Sequence, residues 1–281
     1  MEEEKKDYPS KREAILVLII TFAILFLVSG IFSGTVSEGR KEGFLAEILV
    51  IIPALLFVYK RGYSIRKIFR LNRVSLNAIL YSILIGISLL ILSEEFERIM
   101  RIIFPLPEGI SELEDKINEL FKTSNIYEFL ILFTAGVLMA GLFEEMLFRG
   151  FLLYSFEKHM DITRAVTLTA IMFTFVHSIW LVWIWYLIQI TVLGVILGVL
   201  SWKSNSIYPP ATVHILNNII SIYYTGNKDI SIPSWLEWNG HISPVIVFLA
   251  GYFIILGFKC FYKICDKYKL NETCKRNKSK I

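Results

Sequence analysis

Gly141-Leu142-Phe143-Glu144-Glu145-Met146-Leu147-Phe148-Arg149-Gly150 closes a largely apolar run that begins at Ile126. The run is long enough to cross a membrane, yet its end carries two adjacent carboxylates and an arginine. An ionisable side chain at the centre of a bilayer costs about 2.5–3.5 kcal/mol even on a lenient insertion scale. Three of them so close together require mutual pairing, water or a chemical task.

The rest of the chain has the same character. Of its 281 residues 55% are hydrophobic, and the mean hydropathy is +0.58, more apolar than a soluble domain requires. Runs able to cross about 30 Å of hydrocarbon fall near 14–32, 44–59, 77–92, 126–151, 165–179, 181–200, 207–224 and 244–261. The expected fold is therefore all-α: a polytopic membrane bundle of about eight transmembrane helices. A further amphipathic helix is expected where Ser111-Glu112-Leu113-Glu114 forms a capping box. There Leu113, Ile117, Leu120 and Phe121 share one face, which suits either the outer membrane surface or the top of the bundle. The whole chain reads as one membrane domain, with its working core at 126–224.

Loop charge sets the expected orientation. Lys60, Arg61, Arg66, Lys67, Arg70 and Arg73 crowd the second connection, and Lys263, Lys267, Lys269, Lys275, Arg276, Lys278 and Lys280 crowd the tail. Both are expected to be cytoplasmic. The third connection carries Glu94, Glu95, Glu97, Glu112, Glu114 and Asp115 instead. Eight spans then put both termini in the cytoplasm, with Trp180, Trp183 and Trp185 around an outer turn and Trp202 at an inner one. The net charge of +4 reflects this topology. Membrane lipids are the expected partners, and no nucleic acid is.

The leader 1–12 holds three glutamates and an aspartate, so the first span reads as retained, not as a cleaved signal. Cys260, Cys265 and Cys274 form no C-x-x-C pair and read as free thiols. Gly194 and Gly198 form a G-x-x-x-G that suits internal packing or dimerisation equally. Abundant lysine and isoleucine, with Gln189 the single glutamine, suggest a prokaryotic cell membrane.

Two further spans carry polar groups: Phe173-Thr174-Phe175-Val176-His177 in the fifth, and His214-Ile215-Leu216-Asn217-Asn218 in the seventh. Glu144 precedes the turn near 157–163 by about as many residues as His177 follows it. Two regular antiparallel helices with a rise of about 1.5 Å per residue would bring them to similar depth. His214 and Asn218, four apart, share a helix face. Pro209-Pro210 marks that helix's start, so His214 lies near its end. Glu145 and Arg149 have the spacing and order of a helical ion pair. That pairing occupies Glu145 and leaves Glu144 free to face a cavity. Glu144 could take a proton from water and return it, as general base and then acid. His177 could share that water, and His214 and Asn218 could donate to a developing oxyanion.

These residues resemble the three motifs of the CPBP family, the CAAX proteases and bacteriocin-processing enzymes, also called the ABI family. Its E-E-x-x-x-R is similar to Glu144-Glu145…Arg149, its F-x-x-x-H to Phe173…His177, and its H-x-x-x-N to His214…Asn218. The resemblance covers about 126–224. It implies a glutamate-dependent, metal-independent intramembrane endopeptidase with no cofactor, of a family in which prenylated CAAX proteins lose their last three residues. It further implies that Glu144 and His177 activate water, that His214 and Asn218 hold the oxyanion, and that Glu145, Arg149 and Phe173 support them. The expected substrate is a membrane-associated peptide or protein, prenylated or not.

Two alternatives stay open. Two histidines and a carboxylate also suit zinc, with Glu144, His177 and His214 as ligands, although H-E-x-x-H is absent. Intramembrane acids and histidines also build proton relays, so a non-catalytic transporter, scaffold or immunity protein is the other.

Overall fold

A computed structural model describes residues 7–29, 36–107, 109–110, 112, 118–119, 121–178, 184–226 and 236–278. The helices are α1 (Lys11–Ser29), α2 (Val36–Lys60), the short α3 (Ile65–Ile68), α4 (Leu76–Ile103) and α5 (Ile126–Glu157). They continue with α6 (Ile162–Ser178), α7 (Ile184–Ser204), α8 (Tyr208–Gly226) and α9 (Pro244–Lys278). The only strands among the described residues are β1 (Glu237–Trp238) and β2 (His241–Ile242), an antiparallel hairpin. Glu95 of α4 ties this hairpin down by accepting from His241 Nδ1 and Ile242 N, each at 2.8 Å.

Within the described residues, each of the eight apolar runs is helical over most of its length. Five stretches are long and apolar enough to cross a membrane: Glu42–Lys60, Leu76–Ile103, Ile126–Glu157, Ile184–Ser204 and Pro244–Tyr268. Ile162–His177 is a shorter apolar helix. The expected amphipathic helix after Ser111 falls mostly outside the described residues, as do Trp180 and Trp183. Trp185, at the start of α7, is fully buried and packs inside the protein. Phe26, Leu80, Phe248 and Ile255 point outward from the bundle, as lipid-facing side chains do.

Local sequence explains most helix starts. At α1, Ser10 and Glu13 bond each other's backbone N–H groups, the reciprocal capping box. Ser75 caps α4, Asn125 caps α5 and Asp161 caps α6. The start of α8 is different, because it lies inside the protein: Ser206 and Ile207 are fully buried, and Ile207 N donates to Arg70 O. His214 is near its helix end yet deep in the molecule because the loop after α3 covers that end.

One feature has no counterpart in the sequence. Phe133–Glu144 and Met146–Leu152 of α5 are π-helical, with α geometry at Glu145 between them. π-winding is rare and concentrates at functional sites. The regular α5 expected from periodicity is thus corrected: a wider winding advances less per residue, so Glu144 stands nearer the α5–α6 turn than α-helical counting gives.

Two apolar cores hold the bundle together. One joins α1, α2, α3, α5 and α6 around Phe148, Phe151 and Phe173, and the other joins α4, α7, α8 and α9 around Ile85, Leu197 and Phe261. Helices α5 and α8 meet closely at Gly141, where a Cβ would stand 2.5 Å from Ile215 Cγ1 and 3.2 Å from its backbone N. Gly194 and Gly198 face Ala170 and Val166, with the nearest contacts for an added Cβ at 3.1 and 3.0 Å. The G-x-x-x-G therefore serves packing between α6 and α7.

Candidate active site

Glu144, Glu145 and Arg149 from α5, Phe173 and His177 from α6, and His214 from α8 converge at the seam between the two cores. Arg149 Nη1 donates to Glu145 Oε1 at 2.8 Å, and Arg149 Nη2 reaches Gly194 O on α7 at 3.4 Å. Both partners are buried, the arginine 1% and the glutamate 0% exposed, so breaking the pair would strand a charge in a low-dielectric interior. The guanidinium also lies 4.2 Å from the centroid of Phe173, a cation–π contact in a dry setting. Phe173 stands 4.3 Å from the His177 ring and 5.8 Å from that of His214, packing the floor beneath both.

The histidines are oriented from behind. His177 Nδ1 lies 2.8 Å from Phe173 O, one helical turn back. A carbonyl only accepts, so Nδ1 carries a proton and Nε2 is the ring nitrogen that faces the site. His214 Nδ1 lies 3.0 Å from Glu145 Oε1 and donates by the same reasoning. Glu145 therefore does more than pair with Arg149: it also fixes the ring of His214, a link that i,i+4 spacing does not reveal.

Both Nε2 atoms face Glu144. His177 Nε2 is 3.6 Å and His214 Nε2 4.0 Å from Glu144 Oε2. These separations exceed a direct hydrogen bond, and a polar contact of this length suits a bridging water. The cluster is closed on one side and open on the other: the His214 side chain is 5% exposed, Glu144 14% and His177 29%.

Asn218 stands apart from these contacts. Its Nδ2 donates to Gly136 O in the π-wound part of α5 at 3.0 Å. The bond holds α8 against α5 and uses one of two amide hydrogens, leaving the second available.

Sequence reasoning missed Glu47 of α2. Its Oε2 is buried without a hydrogen-bond partner among the described residues. The signal was present, since Glu47 is the only acid in the apolar run at 44–59. Among the described residues, no group of three or more His, Cys, Asp or Glu side chains is arranged to hold a metal ion.

A family model described as Type II CAAX prenyl endopeptidase Rce1-like matches residues 126–220, the segment that supplies α5, α6, α7 and most of α8. No curated protein and no solved structure matches the chain.

Proposed function

We propose, on the premise that this chain belongs through residues 126–220 to the Rce1-like part of the CPBP family, that it is a glutamate-dependent intramembrane endopeptidase. One observation carries the reading: the Glu144 carboxylate lies opposite two imidazole Nε2 atoms at water-bridging separations. A water between Glu144 and His177 loses a proton to Glu144 as its oxygen attacks the scissile carbonyl. The carbonyl oxygen becomes an oxyanion, to which the second Asn218 N–H and His214 Nε2–H donate. For that donation His214 acts as an imidazolium whose Nδ1–H is held by Glu145. Glu144 then gives its proton to the leaving nitrogen as the C–N bond breaks, so acid and base are one group.

The substrate is the C-terminal region of a CAAX protein, prenylated or not, or another membrane peptide. The basic connections support cytoplasmic termini and a site reached from that side, in the membrane of a prokaryotic cell.

A zinc-dependent reading draws on one specific observation. Both histidines present Nε2 while Nδ1 is held by a carbonyl or a carboxylate, the arrangement that orients metal-binding histidines. The experiment is cleavage of a farnesylated CAAX peptide by the purified protein beside Glu144→Gln, with and without chelator. Glu144→Gln is expected to lose about 10²–10⁴-fold in rate, with an unchanged thermal midpoint and no effect of chelator on the wild type. Chelator-sensitive cleavage would transfer the site to zinc. A folded wild type that leaves the peptide intact would remove the CAAX substrate.

A further inference from the structure

Helix α7 runs through the matched segment yet carries none of the three motifs. It nevertheless holds Arg149 at both ends: Gly194 O receives the guanidinium Nη2 at 3.4 Å, and Ser201 Oγ donates to the Arg149 backbone carbonyl at 3.3 Å. Thr21, Ser82, Ser88, Ser155, Thr169 and Thr191 each turn the hydroxyl back on their own helix, to the carbonyl four residues earlier. Ser201, fully buried, crosses to another helix instead. Arg70 Nη1 donates to the same hydroxyl oxygen at 3.2 Å and leaves its hydrogen for Arg149.

The crossing falls where geometry matters. Arg149 lies in the π-wound turn Met146–Leu152, a rare winding that contacts from outside the helix have to favour. From that backbone the guanidinium reaches Glu145 Oε1 at 2.8 Å, and the same oxygen accepts from His214 Nδ1 at 3.0 Å. Direct contacts thus run from Ser201 on α7, through Arg149 and Glu145 on α5, to His214 on α8. We propose that Ser201 is a positioning residue for His214. By holding the Arg149 carbonyl it sets where the guanidinium meets Glu145, and Glu145 in turn sets the imidazole ring. This deepens the protease reading and rests on His214 acting at the oxyanion.

The chain has four histidines, so nitrogen NMR of histidine-labelled protein in detergent reads the His214 ring without any substrate. Its signal is assigned by its absence from His214→Gln. Ser201→Ala should move the His214 Nδ1 resonance and leave those of His159 and His241 in place. On the CAAX peptide the same variant should lower kcat by about 5–50-fold with KM within about threefold, the scale of a small misplacement. Arg70→Met, which removes the other partner of Ser201, should leave both readouts at their wild-type values. A serine that only packs α7 against α5 would lower the thermal midpoint and move neither. Should Ser201→Ala not fold, Ser201→Cys, close in size with a weak S–H donor, carries the same two readouts. An unmoved His214 resonance, or a wild-type kcat, in a folded Ser201 variant overturns the proposal. A wild type that cleaves no peptide, with the resonance moving as expected, counts against the protease reading and leaves the positioning chain standing.

Discussion

Two buried arginines organise this bundle, and they do so to different ends. Arg70, after α3, donates to Glu157 at the end of α5 and to Ser201 on α7 at 3.2 Å, with the Tyr154 ring 5.7 Å from its guanidinium. Its own carbonyl receives Ile207 N, and it holds φ at +49°, a region a non-glycine residue enters only when its surroundings require it. Only Nε of Arg70 is left without a partner, and Glu157 keeps every buried oxygen satisfied. Around Arg149 the opposite holds: the guanidinium is engaged, while Glu144 Oε2 and Glu145 Oε2 are buried without partners among the described residues. The first cluster closes a loop over the start of α8. The second leaves acceptors waiting inside the protein, which is costly unless something binds there.

The sharpest test of that contrast is Arg149→Met. It should destabilise the protein by about 3–5 kcal/mol, because the buried Glu145 would lose its arginine and keep only His214 as a partner. Activity should fall further than the folded fraction, since His214 loses the carboxylate geometry that orients it. Thermal unfolding in detergent beside a rate per folded molecule separates the two effects. A rate unchanged after that correction would mean that Glu145 orients His214 without Arg149.

Arg70→Met should cost about 1.5–3 kcal/mol, less than at Arg149 because Glu157 is partly exposed and can turn to water. Its rate per folded molecule should stay at the wild-type value. A specific loss of kcat would dissolve the distinction between a closing cluster and a reacting one.

Gly141→Ala drives a methyl into Ile215 next to His214, for about 1–2 kcal/mol. It should also lower kcat more than KM, by moving His214 relative to Glu144. A loss of kcat per folded molecule, beyond what the lowered thermal midpoint accounts for, would show that the α5–α8 approach serves chemistry as well as packing.

The smallest effect lies at the chain's start. Asp7 accepts from Lys67, and that hydrogen bond holds the Asp7 carboxyl below its usual value while raising Lys67. A lowered carboxylate stabilises the fold at pH above its unfolded value, and the contribution is lost as pH falls through the folded one. Asp7→Asn should therefore flatten the acid side of the stability profile slightly and leave activity unchanged, because the pair is exposed and weak. Melting curves of both proteins across mildly acidic pH check it.

Much of the candidate site was legible because membrane spans tolerate few polar residues. Against a background of leucine, isoleucine and phenylalanine, Glu144, Glu145, Arg149, His177, His214 and Asn218 stand out without further help. Glu47 obeys the same rule and was passed over because no second polar residue in its span marked it. Phe173 is harder: a phenylalanine in an apolar helix carries no signal of its own, and only its packing beneath two histidines and an arginine gives it a role.

Sequence alone determined the helical class, where each apolar run lies and which side chains are too costly to be there by chance. Hydrophobicity and charge are properties of residues, so they can be read before folding. Tertiary structure decided the rest: the π-winding of α5, the burial of the start of α8 under Arg70, and the sharing of Glu145 between Arg149 and His214. Each depends on contacts between helices far apart in the chain, and no local spacing encodes them.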